Sequence, residues 1–182
     1  MSCTLTLGRK EPCKDTVGGL KAVYFTDFGD YGTVTETDDE ITDLSGVFTV
    51  FKYELKGNSS FEQAITSSRE NGTTFFDQTL TLTLKKLSKE TNKELKLISY
   101  GRPHVAVEDY NGNVFVMGLQ HGAEVTGGTV STGAAMADLS GYTLTLNAQE
   151  TKPANFVNAP TAADPFAGMA SATVTVTEGT NS

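Results

Sequence analysis

The sequence FFDQTLTLTL at residues 75–84 decides the fold class. Side chains of a strand point alternately to two faces, so an apolar residue at every second position marks a buried face. The apolar set is Phe76, Leu80, Leu82 and Leu84. The polar set, on the opposite face, is Asp77, Thr79, Thr81 and Thr83. We therefore predict a strand with one buried and one solvated side, which is typical of an antiparallel sheet.

The same signal recurs on both sides of this strand. Residues 141–149 alternate again between apolar residues and Thr, and residues 47–56 place Lys52 and Glu54 on a polar face. Residues 20–25 form a short β-branched and aromatic run. These patterns predict a mainly β protein, a β-sandwich or barrel.

Two hairpins are predicted in the second half of the chain. Apolar runs at residues 104–109 and 114–119 flank the turn signal Asn111-Gly112. Short β-branched runs flank Gly127-Gly128, which suggests a second, shallower hairpin. Residues 57–74 are polar and contain turn signals, so they carry no predicted strand.

One short helix is predicted at about residues 88–99. Ser88 is a suitable N-cap, and Glu90 suits the first turn. Leu95 and Ile98 have helical spacing, and Gly101 ends the helix.

Residues 26–46 hold most of the net charge. Their acidic residues are Asp27, Asp30, Glu36, Asp38, Asp39, Glu40 and Asp43. No Lys or Arg occurs between Lys21 and Lys52, so we predict an exposed loop or an extended hairpin. A connection of this length is often an interaction arm, so deletion of residues 28–44 is expected to leave the fold intact.

The two ends of the chain differ from the middle in composition. Residues 1–19 are polar and contain Gly and Pro, which predicts an N-terminal arm. Residues 151–182 are rich in Ala and Pro, which predicts a C-terminal arm outside the core. The arm ends in a strand candidate at residues 172–177, which we expect to pair with a sheet edge of this chain or of a neighbour. Residues 20–150 form the predicted β-sandwich domain.

Charge and hydropathy exclude several classes of protein. The formal net charge is −8, which argues against a protein that grips nucleic acid with clustered Lys and Arg. A negative field would suit a surface that must not hold DNA. No apolar run approaches the roughly 18 residues of a membrane span, and no signal peptide is visible. We therefore expect synthesis in a cytoplasm and no membrane partner.

Residues that could carry chemistry are few and scattered. His104 and His121 are the only histidines, and neither has a partner at metal-ligand spacing. A Ser or Cys nucleophile would lack its usual base. The run Asp38-Asp39-Glu40 does not match a calcium loop. Cys3 and Cys13 allow either one disulfide or two reduced thiols. We predict no catalytic residues, no metal and no cofactor.

A series of short motifs lies between Ser68 and Val157. They are Arg69-Glu70-Asn71-Gly72, Phe75-Phe76-Asp77-Gln78-Thr79-Leu80, Leu95-Lys96-Leu97, Gly101-Arg102-Pro103, Val107-Glu108-Asp109, Asn111-Gly112-Asn113, Glu124-Val125-Thr126-Gly127-Gly128 and Asp138-Leu139-Ser140-Gly141-Tyr142-Thr143-Leu144. In overall pattern this stretch resembles the tail tube (major tail) proteins of tailed bacteriophages. The N-terminal Pro12-Cys13-Lys14-Asp15 and Val17-Gly18-Gly19-Leu20-Lys21 are similar to phage virion proteins.

The resemblance implies a β-sandwich or barrel with one flanking helix. It implies that six copies commonly form a ring whose inner sheets join around a channel for DNA, and that rings stack through loops and arms. The partners would be the chain itself and other phage tail proteins, and the protein would reside in the virion. Candidate lumen-facing residues are Asp77, Thr79, Thr81, Thr83, Lys52 and Glu54. The candidate inter-ring loop carries the acidic residues of 26–46 named above.

Other functions stay open. Another virion component of the same fold, such as a tail terminator, neck or decoration protein, shares this architecture, so the sequence hardly separates it from a tube subunit. A carbohydrate-binding adhesin would need exposed aromatic residues. Tyr24, Tyr31, Tyr100 and Tyr110 are available for this, but the chain has no Trp. A hydrolase is the least favoured class.

Overall fold

A computed structural model describes residue 5 and residues 7–179, which form twelve strands and one helix. The strands are β1 (Leu20–Thr26), β2 (Val34–Thr37), β3 (Glu40–Leu44), β4 (Gly46–Glu54), β5 (Ser60–Ser68), β6 (Thr73–Lys85), β7 (His104–Asp109), β8 (Val114–Met117), β9 (Glu124–Ser131), β10 (Gly141–Glu150), β11 (Asn155–Val157) and β12 (Ala172–Glu178). The helix α1 spans Lys89–Tyr100. The prediction of a mainly β protein is confirmed.

The strands form two sheets. The larger has eight strands in the order β12-β4-β1-β7-β8-β11-β3-β2, and the smaller has four in the order β5-β6-β10-β9. They form a sandwich-like fold, as predicted, and the sheets are not closed into a barrel.

The first core lies between the two sheets. Leu80, Leu82 and Leu146 of the small sheet are at most 1% exposed and share one cluster with Val105 and Val107 of the large sheet. The alternation that predicts β6 and β10 is therefore the alternation of one buried face. Burial of these side chains contributes about 1.5–3 kcal/mol each.

A second core lies on the other side of the large sheet. Ile41 and Leu44 of β3 share a cluster with Phe48 and Val50 of β4. These strands are five places apart in the sheet order, so the sheet must curl for their side chains to meet.

The C-terminal segment belongs to this second core, and the expectation that it lies outside the core is wrong. Strand β11 is inserted between β8 and β3, and β12 pairs in parallel with β4. Phe166 is 1% exposed and Met169 is 6% exposed. No pattern in the sequence predicts their burial, because both residues lie in irregular chain, where no periodicity marks a buried face.

The acidic segment is a hairpin, one of the two alternatives that its composition allowed. Strands β2 and β3 pair in antiparallel fashion around Asp38 and Asp39, whose φ angles are 53° and 61°. Two positive φ angles in a two-residue connection are typical of a type I′ turn. Because Ile41 and Leu44 are fully buried, deletion of residues 28–44 would remove part of the core, and the expectation of an intact fold is wrong.

Two further expectations about strands fail. Residues 60–68 form the edge strand β5, which is exposed along most of its length and therefore shows no alternation. Gly127-Gly128 is not a turn, because β9 runs through it as one strand. A side chain at position 128 would meet the Thr143 carbonyl oxygen at 2.8 Å, so the glycine permits close approach of β10.

The predicted helix is confirmed within one residue at each end. The Ser88 hydroxyl accepts a hydrogen bond from the Thr91 backbone N–H at 3.1 Å, and the Gly101 N–H donates to the Leu97 carbonyl. The Tyr142 hydroxyl donates to the Ser88 carbonyl at 3.0 Å. The start of α1 is therefore attached to β10.

Candidate functional site

The outward side of the small sheet is a polar surface, which we call the threonine face. Its central part is formed by alternate residues of β6 and β10. These residues are Asp77, Thr79, Thr81 and Thr83 of β6, and Thr143, Thr145 and Asn147 of β10. All seven are partly exposed, whereas their strand neighbours Leu80, Leu82 and Leu144 are buried. The structure thus brings together the four lumen candidates of β6.

Strand register arranges the hydroxyl groups in rows. Thr83 lies opposite Thr143, and Thr81 lies opposite Thr145. Facing threonines in an antiparallel pair stabilise a sheet by about 0.2–1 kcal/mol. The rows continue outward, because Thr129 of β9 pairs with Thr143.

The charge of the threonine face is mostly negative. By strand register, Glu62 and Glu124 lie on the same side as Asp77. The Asn147 amide donates to the Asp77 carboxylate at 2.6 Å, which fixes the position of both side chains. Among the described strand positions of this face, only Lys85 at the end of β6 carries positive charge. Such a surface repels phosphate groups and offers them few cations to bind.

Both edges of the small sheet are free within the described chain. β5 has nine residues and β9 has eight, and neither pairs with a strand on its outer side. Because all three pairings inside the sheet are antiparallel, β5 and β9 run in opposite directions. Ile65 on β5 is 69% exposed and Val130 on β9 is 64% exposed. Long edges with exposed apolar residues favour pairing with another chain.

The remaining lumen candidates lie elsewhere. Lys52 and Glu54 belong to β4 of the large sheet. The Lys52 ammonium donates to the Glu178 carboxylate of β12 at 2.7 Å, which raises the pKa of Lys52. The Lys52 side chain is only 12% exposed, and its ammonium group is paired with a carboxylate of β12. The structure therefore does not bring Lys52 and Glu54 together with the threonine face.

Several acidic residues of 26–46 attach the hairpin to the body. Glu36 forms an ion pair with Lys152 at 2.5 Å, which raises the pKa of Lys152. Asp43 accepts hydrogen bonds from the Ser171 hydroxyl and backbone N–H, and these bonds lower the pKa of Asp43.

The rest of the acidic set divides into two places. Asp38, Asp39 and Glu40 surround the hairpin tip, next to the exposed Phe156 and the β7–β8 turn. Asp27 and Asp30 lie in the turn that follows β1. Only the first group forms a compact acidic surface.

His104 is packed against aromatic side chains and is hydrogen-bonded at both ring nitrogens. Its ring stacks between Phe28 and Tyr31, with centroid distances of 5.0 and 4.5 Å. The Gly29 N–H donates to Nε2 at 3.3 Å, so Nδ1 carries the proton and donates to the Gly118 carbonyl at 2.7 Å. Both ring nitrogens are thus used in the neutral form, and burial lowers the pKa of His104.

The other residues considered for chemistry do not converge. The His121 Nδ1 lies 3.3 Å from the Glu150 carboxylate, which also accepts two backbone N–H groups. Cys13 is exposed, and Cys3 lies outside the described residues. Across the described part of the chain no group of three or more His, Cys, Asp or Glu side chains could hold a metal ion. No helix there is long and apolar enough to cross a membrane.

The structure adds a strand that sequence reasoning missed. Strand β5 completes the small sheet and gives it a second free edge. The only sequence signal for it is the spacing of Phe61 and Ile65 among polar residues.

Comparison with family models, curated proteins and solved structures found no match for this chain.

Proposed function

We propose that this chain is a structural subunit of a virion, a tail tube protein whose copies form rings that stack around a channel for DNA. One observation carries the proposal. The small sheet has a polar face with few cations and two long free edges that run in opposite directions.

The edges support a ring by simple geometry. When β9 of one copy lies beside β5 of the next, the two strands are antiparallel, as are all neighbours inside the sheet. The same contact repeats from copy to copy, and it closes into a ring when the rotation per copy divides a full turn. A closed ring leaves no free edge in the joined sheet. The resemblance to tail tube proteins favours six copies.

The threonine face is assigned to the channel, because the opposite side of the small sheet is covered by the first core. Asp77, Thr79, Thr81 and Thr83 then line the lumen. Lys52 and Glu54 are left out of the lumen because they lie on the large sheet. A negative, hydroxyl-rich wall lets DNA pass without holding its phosphates.

The acidic hairpin tip is assigned to contacts between rings. Asp38 and Asp39 form the end of a hairpin that is fixed to the body by Glu36 and Asp43. A supported hairpin with an exposed tip can reach a neighbouring ring without ordering a flexible loop. Other phage tail proteins would bind at the two ends of the tube.

Electron microscopy of the purified full-length chain tests the proposal. We expect rings or tubes with a central channel at high protein concentration. A strictly monomeric species under all conditions contradicts it. A tail terminator or neck protein would give single rings, and counting copies per particle separates these from a tube subunit, which is present in large number.

A further inference from the structure

A cleft runs along α1, between the helix and strands β1 and β4. We call it the helix cleft. Its floor carries Phe51, Tyr53 and Leu97, and its two adjoining parts have volumes of about 570 and 510 Å³. Phe51 is 40% exposed and Leu97 is 54% exposed. The described part of the chain leaves this apolar floor uncovered.

The rim of the helix cleft is acidic. Five carboxylates line it, namely Asp27, Glu54, Glu90, Glu94 and Glu178. The two cations at the cleft are already engaged, since Lys52 binds Glu178 and Arg102 stacks over Phe28 at 4.1 Å. Burial and the nearby Glu94 carboxylate raise the pKa of Tyr53 to about 12. The cleft therefore suits an apolar segment that also carries positive charge.

The N-terminal arm has this composition. Leu5 is 96% exposed and Leu7 is 92% exposed. Arg9, Lys10 and Lys14 follow, and residues 7–18 are exposed and form no helix or strand. An extended chain from Leu5 to Lys10 spans about 17 Å. The twelve residues of α1 span about 18 Å, so the apolar and basic parts of the arm match the length of the cleft.

The root of the arm lies beside the acidic part of the cleft, because Glu54 pairs with Ala22 near the start of β1. The arm enters β1 at Leu20, where the Val17 N–H donates to the Asn111 side chain at 3.0 Å. The apolar part of the cleft lies at Phe25 and Thr26, at the far end of the same strand. Seven residues of strand separate the two ends by about 20 Å. Residues 7–18 are exposed, so the arm does not fill the cleft of its own chain. Because arm and cleft are different surfaces, a contact between them in two copies is head-to-tail and can repeat from copy to copy.

We propose that the helix cleft binds the N-terminal arm of a second copy of this chain. Leu5 and Leu7 cover Phe51 and Leu97, and Arg9 and Lys10 pair with Glu90 and Glu94. The inference rests on the proposed self-assembly and names a contact that is separate from the joined sheet edges. It also gives the exposed leucines of the arm a buried environment.

Cross-linking of unmodified protein tests the contact directly. A carbodiimide joins Lys ammonium and carboxylate groups that lie in contact, and mass spectrometry identifies the joined peptides. A mixture of ¹⁵N-labelled and unlabelled chains should give Lys10 or Lys14 joined to Glu90 or Glu94 in peptides of mixed label. Joined peptides of one label only would mean that the arm binds its own chain, which overturns the proposal, as does the absence of this pair.

Charge exchange gives the second test. The pair Glu90→Lys and Glu94→Lys should raise the protein concentration needed for assembly by about tenfold. The pair Arg9→Glu and Lys10→Glu should do the same, and the four changes together should restore assembly. The matched control is Lys89→Glu with Lys93→Glu, which reverses two charges on the same helix outside the cleft and should have little effect.

The two proposals fail in different ways. Single rings that no longer stack in the charge variants support the arm contact and leave the sheet-edge contact intact. Tubes of normal length from both double variants overturn the arm contact alone. Mixed-label cross-links from a protein that forms no rings would support the arm contact and contradict the proposed function.

Discussion

Ile65 and Val130 lie on opposite free edges of one four-stranded sheet, on strands that run in opposite directions. By strand register both side chains point to the core side of the sheet, because Ile65 pairs with Phe76 and Val130 pairs with Tyr142. Both nevertheless extend beyond the cover of the large sheet. A neighbouring copy that pairs with either edge would bury one of them.

This relationship predicts complementation between two edge variants. Ile65→Lys and Val130→Lys should each prevent ring formation, because charged residues on an edge strand oppose pairing. Each should change the free energy of unfolding by less than about 0.5 kcal/mol, since both positions are exposed. A one-to-one mixture should give heterodimers, because one β9–β5 contact has no lysine. Analytical ultracentrifugation measures this, and Met136→Lys, at a fully exposed position outside the strands, is the control. Two variants that stay monomeric when mixed would contradict a head-to-tail contact.

A lysine introduced on the threonine face is predicted to create DNA binding. Thr81→Lys should leave rings and tubes unchanged and should increase their affinity for a short duplex, with an affinity that falls as salt rises. Thr175→Lys, on the exposed side of β12, is the matched control and should have a smaller effect. Fluorescence anisotropy of labelled DNA measures both. Equal binding by the two variants would argue against a lumen at the threonine face.

A core substitution in the C-terminal segment is predicted to lower the free energy of unfolding strongly, although the segment contains no predicted core strand. Phe166→Ala should lower the free energy of unfolding by about 3–5 kcal/mol, because Phe166 packs against Tyr31 and Phe48. Phe156→Ala, at a position that is 48% exposed, should cost clearly less. Chemical denaturation of both variants measures the difference. Similar small losses would mean that the segment is not part of the second core.

The hairpin turn predicts a stabilising substitution. Asp39→Gly should raise the free energy of unfolding by up to about 1 kcal/mol, because glycine adopts a positive φ without strain. Asp39→Ala removes the same carboxylate and keeps the Cβ atom, so it should not stabilise. Thermal unfolding compares the two variants. If both stabilise equally, relief of charge repulsion and not backbone strain is the cause.

His104 predicts a pH dependence of stability. Burial lowers the pKa of His104 in the folded state, so below the ordinary value of about 6.5 the unfolded chain binds a proton that the folded chain does not. The contribution of His104 to the free energy of unfolding is fully present above that pH. It is lost as the pH falls, at up to about 1.4 kcal/mol per pH unit. Denaturation curves between pH 7 and pH 5 measure the slope, and His104→Gln should remove it. A flat profile in the unsubstituted protein would contradict the prediction.

The local parts of the fold could be predicted from sequence. Leu80, Leu82 and Leu84 alternate with threonines because one face of β6 is buried. The Ser88 hydroxyl marks the start of α1, and the Gly101 backbone N–H marks its end. These signals depend on neighbours two to four residues away. The polar set Asp77, Thr79, Thr81 and Thr83 was found for the same reason.

Only the tertiary structure decided what lies beside each strand. Lys52 lies in the same alternating pattern as Thr81. However, β12 of the C-terminal segment pairs beside β4, and Glu178 of β12 binds the Lys52 side chain. Phe166 is buried in a core that irregular chain completes, and β5 joins β6 although its own pattern is polar. The period of a strand is set by local backbone geometry, whereas sheet order and free edges are set by contacts between residues far apart in sequence. For this reason the sequence by itself determined the strands that have one buried face, and the fold determined which strands join them and which edges and clefts remain open for a neighbouring copy.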